Sequence, residues 1–96
     1  MQTQDFIEKK LKELKPYLAE KFYVNKIGYF GSYSQNKQNE ESDIDILVEF
    51  SRPIGWEFFD LKDLLEKELK TKVDLVSVGA LRKQLKKSIL SQTHYV

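Results

Sequence analysis

Two carboxylates separated by one residue, Asp43 and Asp45, sit in the segment Asp43–Phe50 (DIDILVEF), the clearest strand pattern in the chain. On a strand, residues i and i+2 point to the same face, with Cα atoms roughly 6.5 to 7 Å apart. Two like charges held side by side either raise the pKa of one member or call for a cation between them. Asp74 is the one charge inside the otherwise apolar stretch VDLV, and a strand there lying beside DIDILV would turn its carboxylate toward the same spot. Three carboxylates on adjacent strands make a hard-oxygen site, suited to Mg²⁺ or Mn²⁺ and offering nothing soft for zinc. Any one of them alone has a plain reading, as a turn residue, a solvent-facing strand residue or an edge-strand charge. The segment upstream changes the balance. Gly31–Ser32 ends the apolar run Val24–Phe30 (VNKIGYF), and a turn there lets the backbone approach a ligand closely at Gly31 while Ser32 presents a hydroxyl among exposed N–H groups, the makings of a phosphate cradle. A phosphate cradle beside a divalent-metal carboxylate cluster is what a nucleoside triphosphate needs.

The elements that must position these residues follow from the apolar spacing. Residues 3–22 place Phe6, Ile7, Leu11, Leu14 and Leu18 at helical intervals with Thr3 as N-cap, and Pro16 within this stretch predicts a kink or a break into a helix pair. After the strand at 24–30, residues 33–41 (YSQNKQNEE) are too polar for a core strand and hold at most a turn or two of helix over the site. In the strand at 43–50, Ile44, Ile46 and Val48 line one face, and Asp43, Asp45, Leu47 and Glu49 the other. Arg52–Gly55 is a turn. Residues 56–70 read as a helix with Phe58, Leu61, Leu65 and Leu69 as its stripe, 72–77 as a short strand and 80–90 as a basic amphipathic helix. Strands alternating with helices give an α/β (α+β) fold, a small mixed β-sheet of three or four strands flanked by helices.

Composition bounds the rest. Ninety-six residues at 41% hydrophobic support one domain, 1–96, with 1–23 as an N-terminal helical segment and 24–96 as the core. Lys and Arg (16) nearly balance Asp and Glu (15), so no overall field draws the chain to nucleic acid or an anionic membrane, and direct nucleic-acid binding is not expected. No cysteine is present, which excludes a thiol nucleophile and a Cys-ligated metal. No apolar run approaches the roughly 18 residues of a membrane span and MQTQDFIEKK lacks a signal-peptide core, so a cytoplasmic location without a membrane partner is expected.

Gly31–Ser32, ten residues, then Asp43–Ile44–Asp45 resembles the GS-X10-DXD signature of the polymerase-β-like nucleotidyltransferase superfamily, and Asp74 in KVDLV stands where those proteins carry a third carboxylate. GYFGSYS, SDIDILVEF, GWEFFDLKDLLE, KVDLVS and ILSQTHYV extend the resemblance, over 24–96, to the minimal nucleotidyltransferase (MNT) group. The resemblance implies catalytic and metal roles for Asp43, Asp45 and Asp74, nucleotide contacts at Gly31, Ser32 and Tyr33, two Mg²⁺ or Mn²⁺ ions and ATP as substrate. It further implies an antitoxin that transfers AMP to a tyrosine of a HEPN-domain ribonuclease toxin. The alternatives are a nucleotidyltransferase acting on RNA or a small molecule, and an antitoxin that neutralises by binding without catalysis. One departure stands out. Where the commonest form has GSxA, a basic residue and Gly, this chain has Ser34–Gln35–Asn36: Gln35 removes a cation, while Asn36 is the residue next best to Gly for a left-handed backbone.

Other residues divide between packing and contact. The five tyrosines are mostly half-buried packing, with Tyr33 beside the turn as the one nearest a nucleotide. His94 alone supports no metal site. Arg82, Lys83, Lys86 and Lys87 give the last helix a basic face, read chiefly as solvation. Trp56, Phe58, Phe59, Leu61, Leu64, Leu65 and Leu69 exceed what so small a core can receive, leaving apolar surface for a homodimer or toxin interface.

Overall fold

The computed structural model describes residues 2–96. Helix α1 (Gln4–Phe22) opens at Thr3, whose hydroxyl accepts the N–H of Phe6 at 3.1 Å, and buries Ile7, Leu11 and Leu18. Pro16 lies within it and does not divide it into a pair. The proline is exposed, so the carbonyl that its missing N–H leaves unpaired faces water and the helix tolerates the loss. Tyr23, in the left-handed conformation, closes the helix and turns the chain into β1 (Val24–Phe30).

Strand β2 (Ile44–Phe50) runs antiparallel to β1, and β3 (Val73–Ser77) returns parallel to β2 after α2 (Glu57–Leu69). A single 3₁₀ turn at Val78–Ala80 delays the last helix, so α3 spans Lys83–Gln92 rather than 80–90. The chain ends with β4 (His94–Tyr95), a two-residue strand antiparallel to β1, giving the sheet order β3-β2-β1-β4. β4 fits because residue 28 is glycine: a Cβ there would lie 2.5 Å from the His94 carbonyl oxygen.

Period two sorts the sheet into two chemically different faces. Ile27, Tyr29, Ile44, Ile46, Val48, Val73 and Leu75 join Ile7, Leu11, Leu18, Leu61, Leu65 and Leu69 in one core between the sheet and α1 with α2. Asp45, Leu47 and Glu49 occupy the other face of β2, where Leu47 is buried outside that core. The surplus apolar surface predicted for α2 is real. Trp56 is 82% exposed and Phe59 56%, their rings 5.8 Å apart.

Candidate active site

The chemistry-bearing residues gather at one end of the sheet. Because β2 is parallel to β3 and in register, Asp45 is the direct partner of Asp74, and the two carboxylates leave the same face from adjacent strands. Because β1 is antiparallel to β2, Phe30 is the partner of Asp45, so the turn that follows Phe30 folds over that carboxylate. Asp43 falls one residue before β2, exposed, so it is the strand's approach rather than its interior that carries it. Asp45 is partly buried, Asp74 exposed.

Electrostatics single out Asp45. Burial first, then the charges of Asp74 and Asp43 and a hydrogen bond shared with Asp74, push its carboxyl up from 3.8 to about 6. The part of this rise that comes from Asp74 and Asp43 is like-charge repulsion. Among the described residues, no three His, Cys, Asp or Glu side chains close around a ready-made metal position. The donor set nevertheless fits a hard divalent ion, since it consists of carboxylate oxygens with mutual repulsion that a cation would relieve.

The turn is built for close approach. Gly31 has φ +73°, and a Cβ on it would sit 2.1 Å from Asp45 Oδ2, so glycine is what lets the backbone lie against the carboxylate. Beyond it the chain coils tightly: the N–H groups of Gln35 and Lys37 donate to the carbonyls of Gly31 (3.3 Å) and Ser32 (2.8 Å), and the Ser34 hydroxyl donates to the Gly31 carbonyl at 2.9 Å. Asn36 is left-handed at φ +55°, the conformation expected of a glycine substitute there. No hydrogen bond among the described residues uses the N–H of Ser32, Tyr33 or Ser34; Ser32 is partly exposed, whereas Tyr33 and Ser34 are buried.

Two of the nucleotide-binding expectations are narrowed by this geometry. The N–H of Gly31 is already engaged, donating to Gln92 Oε1 at 3.1 Å. Tyr33 is 1% exposed and lies within the core, and its hydroxyl has no hydrogen-bond partner among the described residues, so its side chain is not set out toward a nucleotide. Its ring anchors the turn instead. Gln4 Nε2 reinforces that anchor by donating to the carbonyls of Tyr33 (2.6 Å) and Ser34 (3.3 Å). Gln4 and Gln92 carry no signal in the sequence, since they meet the turn from 29 and 61 residues away. A separate apolar groove of about 810 Å³, lined by Phe50, Arg52, Phe58, Leu75 and Val78, lies at the opposite end of β2 and β3, away from the carboxylates.

The raised Asp45 carboxyl sets a pH dependence. A carboxyl whose folded value exceeds its unfolded one contributes stability that is complete below pH 4 and lost as the pH rises through about 6. Full burial of such a group would cost about 3 kcal/mol at neutral pH; partial exposure reduces this to about 1 kcal/mol. Asp45→Asn is therefore expected to melt about 4 to 8 °C above the unaltered protein at pH 7.5 in chelator. The gap should close near pH 4. Millimolar Mg²⁺ should raise only the unaltered protein. Thermal melts over pH 4 to 7.5 measure all three, and a lower melting point for Asp45→Asn in chelator would make the carboxylate structural.

A mixed sheet with helices packed on one face, whose first strand turns over carboxylates borne by the next two, is the core of a nucleotidyltransferase of the polymerase-β kind. The family described as Polymerase beta, Nucleotidyltransferase matches residues 12–96, and the chain belongs to it. Protein adenylyltransferase MntA of Thermococcus cleftensis is 40% identical over 97 residues, spanning 100% of this chain and 98% of that one. Two solved structures are similar throughout. A toxin–antitoxin complex with AMP-PNP matches with a TM-score of 0.71 and 28% identity, over 98% of this chain and 72% of the other. A tri-AMPylated Shewanella oneidensis HEPN toxin in complex with MNT antitoxin matches with a TM-score of 0.70 and 26% identity, over 97% and 71%. No described helix is long and apolar enough to cross a membrane.

Proposed function

We propose that this protein transfers AMP from ATP to a hydroxyl of a protein, a tyrosine of a cognate HEPN ribonuclease toxin, and acts as that toxin's antitoxin. The observation that supports the proposal is the Asp45–Asp74 register pair with the Gly31 turn lying against Asp45. The adenylyltransferase name of the Thermococcus relative and the AMP-bearing toxin of the Shewanella complex supply the group transferred and the kind of acceptor.

Asp43 and Asp45 would hold one Mg²⁺ or Mn²⁺ and Asp74 would share in a second, the ions supplying charge neutralisation for the triphosphate and a lowered pKa for the acceptor hydroxyl. The N–H groups of Ser32, Tyr33 and Ser34 and the Ser32 hydroxyl bind the β- and γ-phosphates. The acceptor oxygen then attacks the α-phosphorus as the bond to the β-phosphate oxygen breaks. Pyrophosphate leaves, and Asp74, exposed at the mouth of the site, receives the hydroxyl proton. Positioning and electrostatic complementarity account for the catalysis.

Incubating this protein with ATP, Mg²⁺ and the HEPN protein encoded beside it, followed by intact mass, tests the reading. One or more added AMP units on the toxin is the expected result. A complex of unchanged mass would instead make the protein a non-catalytic antitoxin, and neither complex nor mass change would point to an RNA or small-molecule acceptor.

A further inference from the structure

We propose that Gln92 is a positioning residue for nucleotide binding, an inference that rests on the nucleotidyl-transfer reading above. The Gly31 turn has only one left-handed residue between a strand and a coil, and its direction decides whether the donors of Ser32 to Ser34 face the carboxylates. Three observations fix that direction. Gln92 Oε1, near the end of α3, accepts the Gly31 N–H at 3.1 Å. Gln35 Nε2 converges on the same oxygen at 3.4 Å, tying the far limb of the turn to the near one, while Gln92 Nε2 is steadied by the Ser88 carbonyl at 3.5 Å. On the opposite side Gln4, from the first turn of α1, grips the Tyr33 and Ser34 carbonyls. The turn is thus clamped between the first and last helices. Between the clamps, Gly31 rests against Asp45, so a displacement of its N–H displaces the donors that follow relative to the carboxylate.

A glutamine suits this position for a reason of charge. Its oxygen accepts the Gly31 N–H as a carboxylate would, without placing a negative charge beside the phosphates. Gln92 touches no substrate in this arrangement; it acts through Gly31. The basic residues at the start of the same helix do not share the role, since they lie one or more turns away from Gln92.

The test uses the whole chain. Gln92→Leu is expected to weaken Mg²⁺–AMP-PNP binding about tenfold and to raise the KM for ATP by a similar factor with kcat within about twofold, the melting temperature staying within about 3 °C. Hydrogen exchange at the Gly31 amide should accelerate about fivefold, the loss of one ordinary hydrogen bond. Gln92→Glu restores the acceptor, so it should return the slow Gly31 exchange while leaving nucleotide binding weak through charge. Unchanged nucleotide affinity in Gln92→Leu, with the unaltered protein binding normally, would overturn the role of Gln92 alone. An equal fall in kcat and kcat/KM, or a large loss of melting temperature, would overturn it in favour of a structural role. Failure of the unaltered protein to bind AMP-PNP would overturn the nucleotidyl-transfer reading itself, and the Gln92 proposal with it.

Discussion

Asp45→Ala is expected to lower AMP transfer by at least about a thousandfold and to leave the protein folded. Asp45 is where the site's electrostatics converge: it faces Asp74 in register, it feels Asp43 two residues earlier, and its carboxyl is pushed up to about 6. Loss of a single preorganised donor to a developing charge already costs about a hundred- to a thousandfold in kcat. On the proposed reading, loss of the carboxylate between the other two would remove a whole cation position, so the larger value is the floor. Asp43→Ala should behave alike, because an ion held between two carboxylates needs both. Folding should not suffer, since neither side chain belongs to the apolar core and removal relieves like-charge repulsion. Radiolabelled ATP with the toxin as acceptor measures transfer, and melts in chelator measure folding. Asp60→Ala, an exposed carboxylate on α2, serves as the control that changes neither. Normal labelling by Asp43→Ala or Asp45→Ala would remove these residues from the chemistry.

The residues of this site were legible in the sequence because the signals that reveal them are local. Gly31–Ser32 at the end of an apolar run and Asp43 and Asp45 at period two can each be read within a few residues. Asn36 belongs with them: its left-handed φ follows from its own side chain, and the structure shows it. What stayed hidden depends on distant parts of the chain. That Asp74 stands opposite Asp45 rather than one place along is set by the register of a parallel pair, which the packing of α2 across the sheet decides. β4 is two residues long and exists because Gly28 lets it approach, a pairing no periodicity announces. Tyr33 reads as the half-buried tyrosine nearest a nucleotide, yet the turn folds it fully into the core. Pro16 carries the opposite lesson. A local rule predicts a kink or a break, and the burial of Ile7, Leu11 and Leu18 along one side of α1 keeps the helix undivided.

Gly31→Ala is expected to damage both stability and AMP transfer, and two separable effects produce the loss of stability. The first is backbone strain: φ +73° costs a residue with a Cβ about 1 kcal/mol. The second is a collision, because the new methyl would stand 2.1 Å from Asp45 Oδ2 and 3.1 Å from its Cγ. The carboxylate is the movable partner, but its retreat is resisted by the charges of Asp74 and Asp43. Together they should lower stability by about 2 kcal/mol, a fall of roughly 8 to 16 °C in melting temperature for a domain of this size. AMP transfer should fall at least about a hundredfold, since the displaced group is the one around which the site is organised. A double-mutant cycle separates the two contributions. On an Asp45→Ala background the collision is gone and only the strain remains, so Gly31→Ala should cost about 1 kcal/mol there against about 2 in the parent. Equal losses in the two backgrounds would reduce Gly31 to a turn residue. A coupling of about 1 kcal/mol would make its missing side chain part of the carboxylate site, the space through which the Gly31 turn and the Asp45 strand touch.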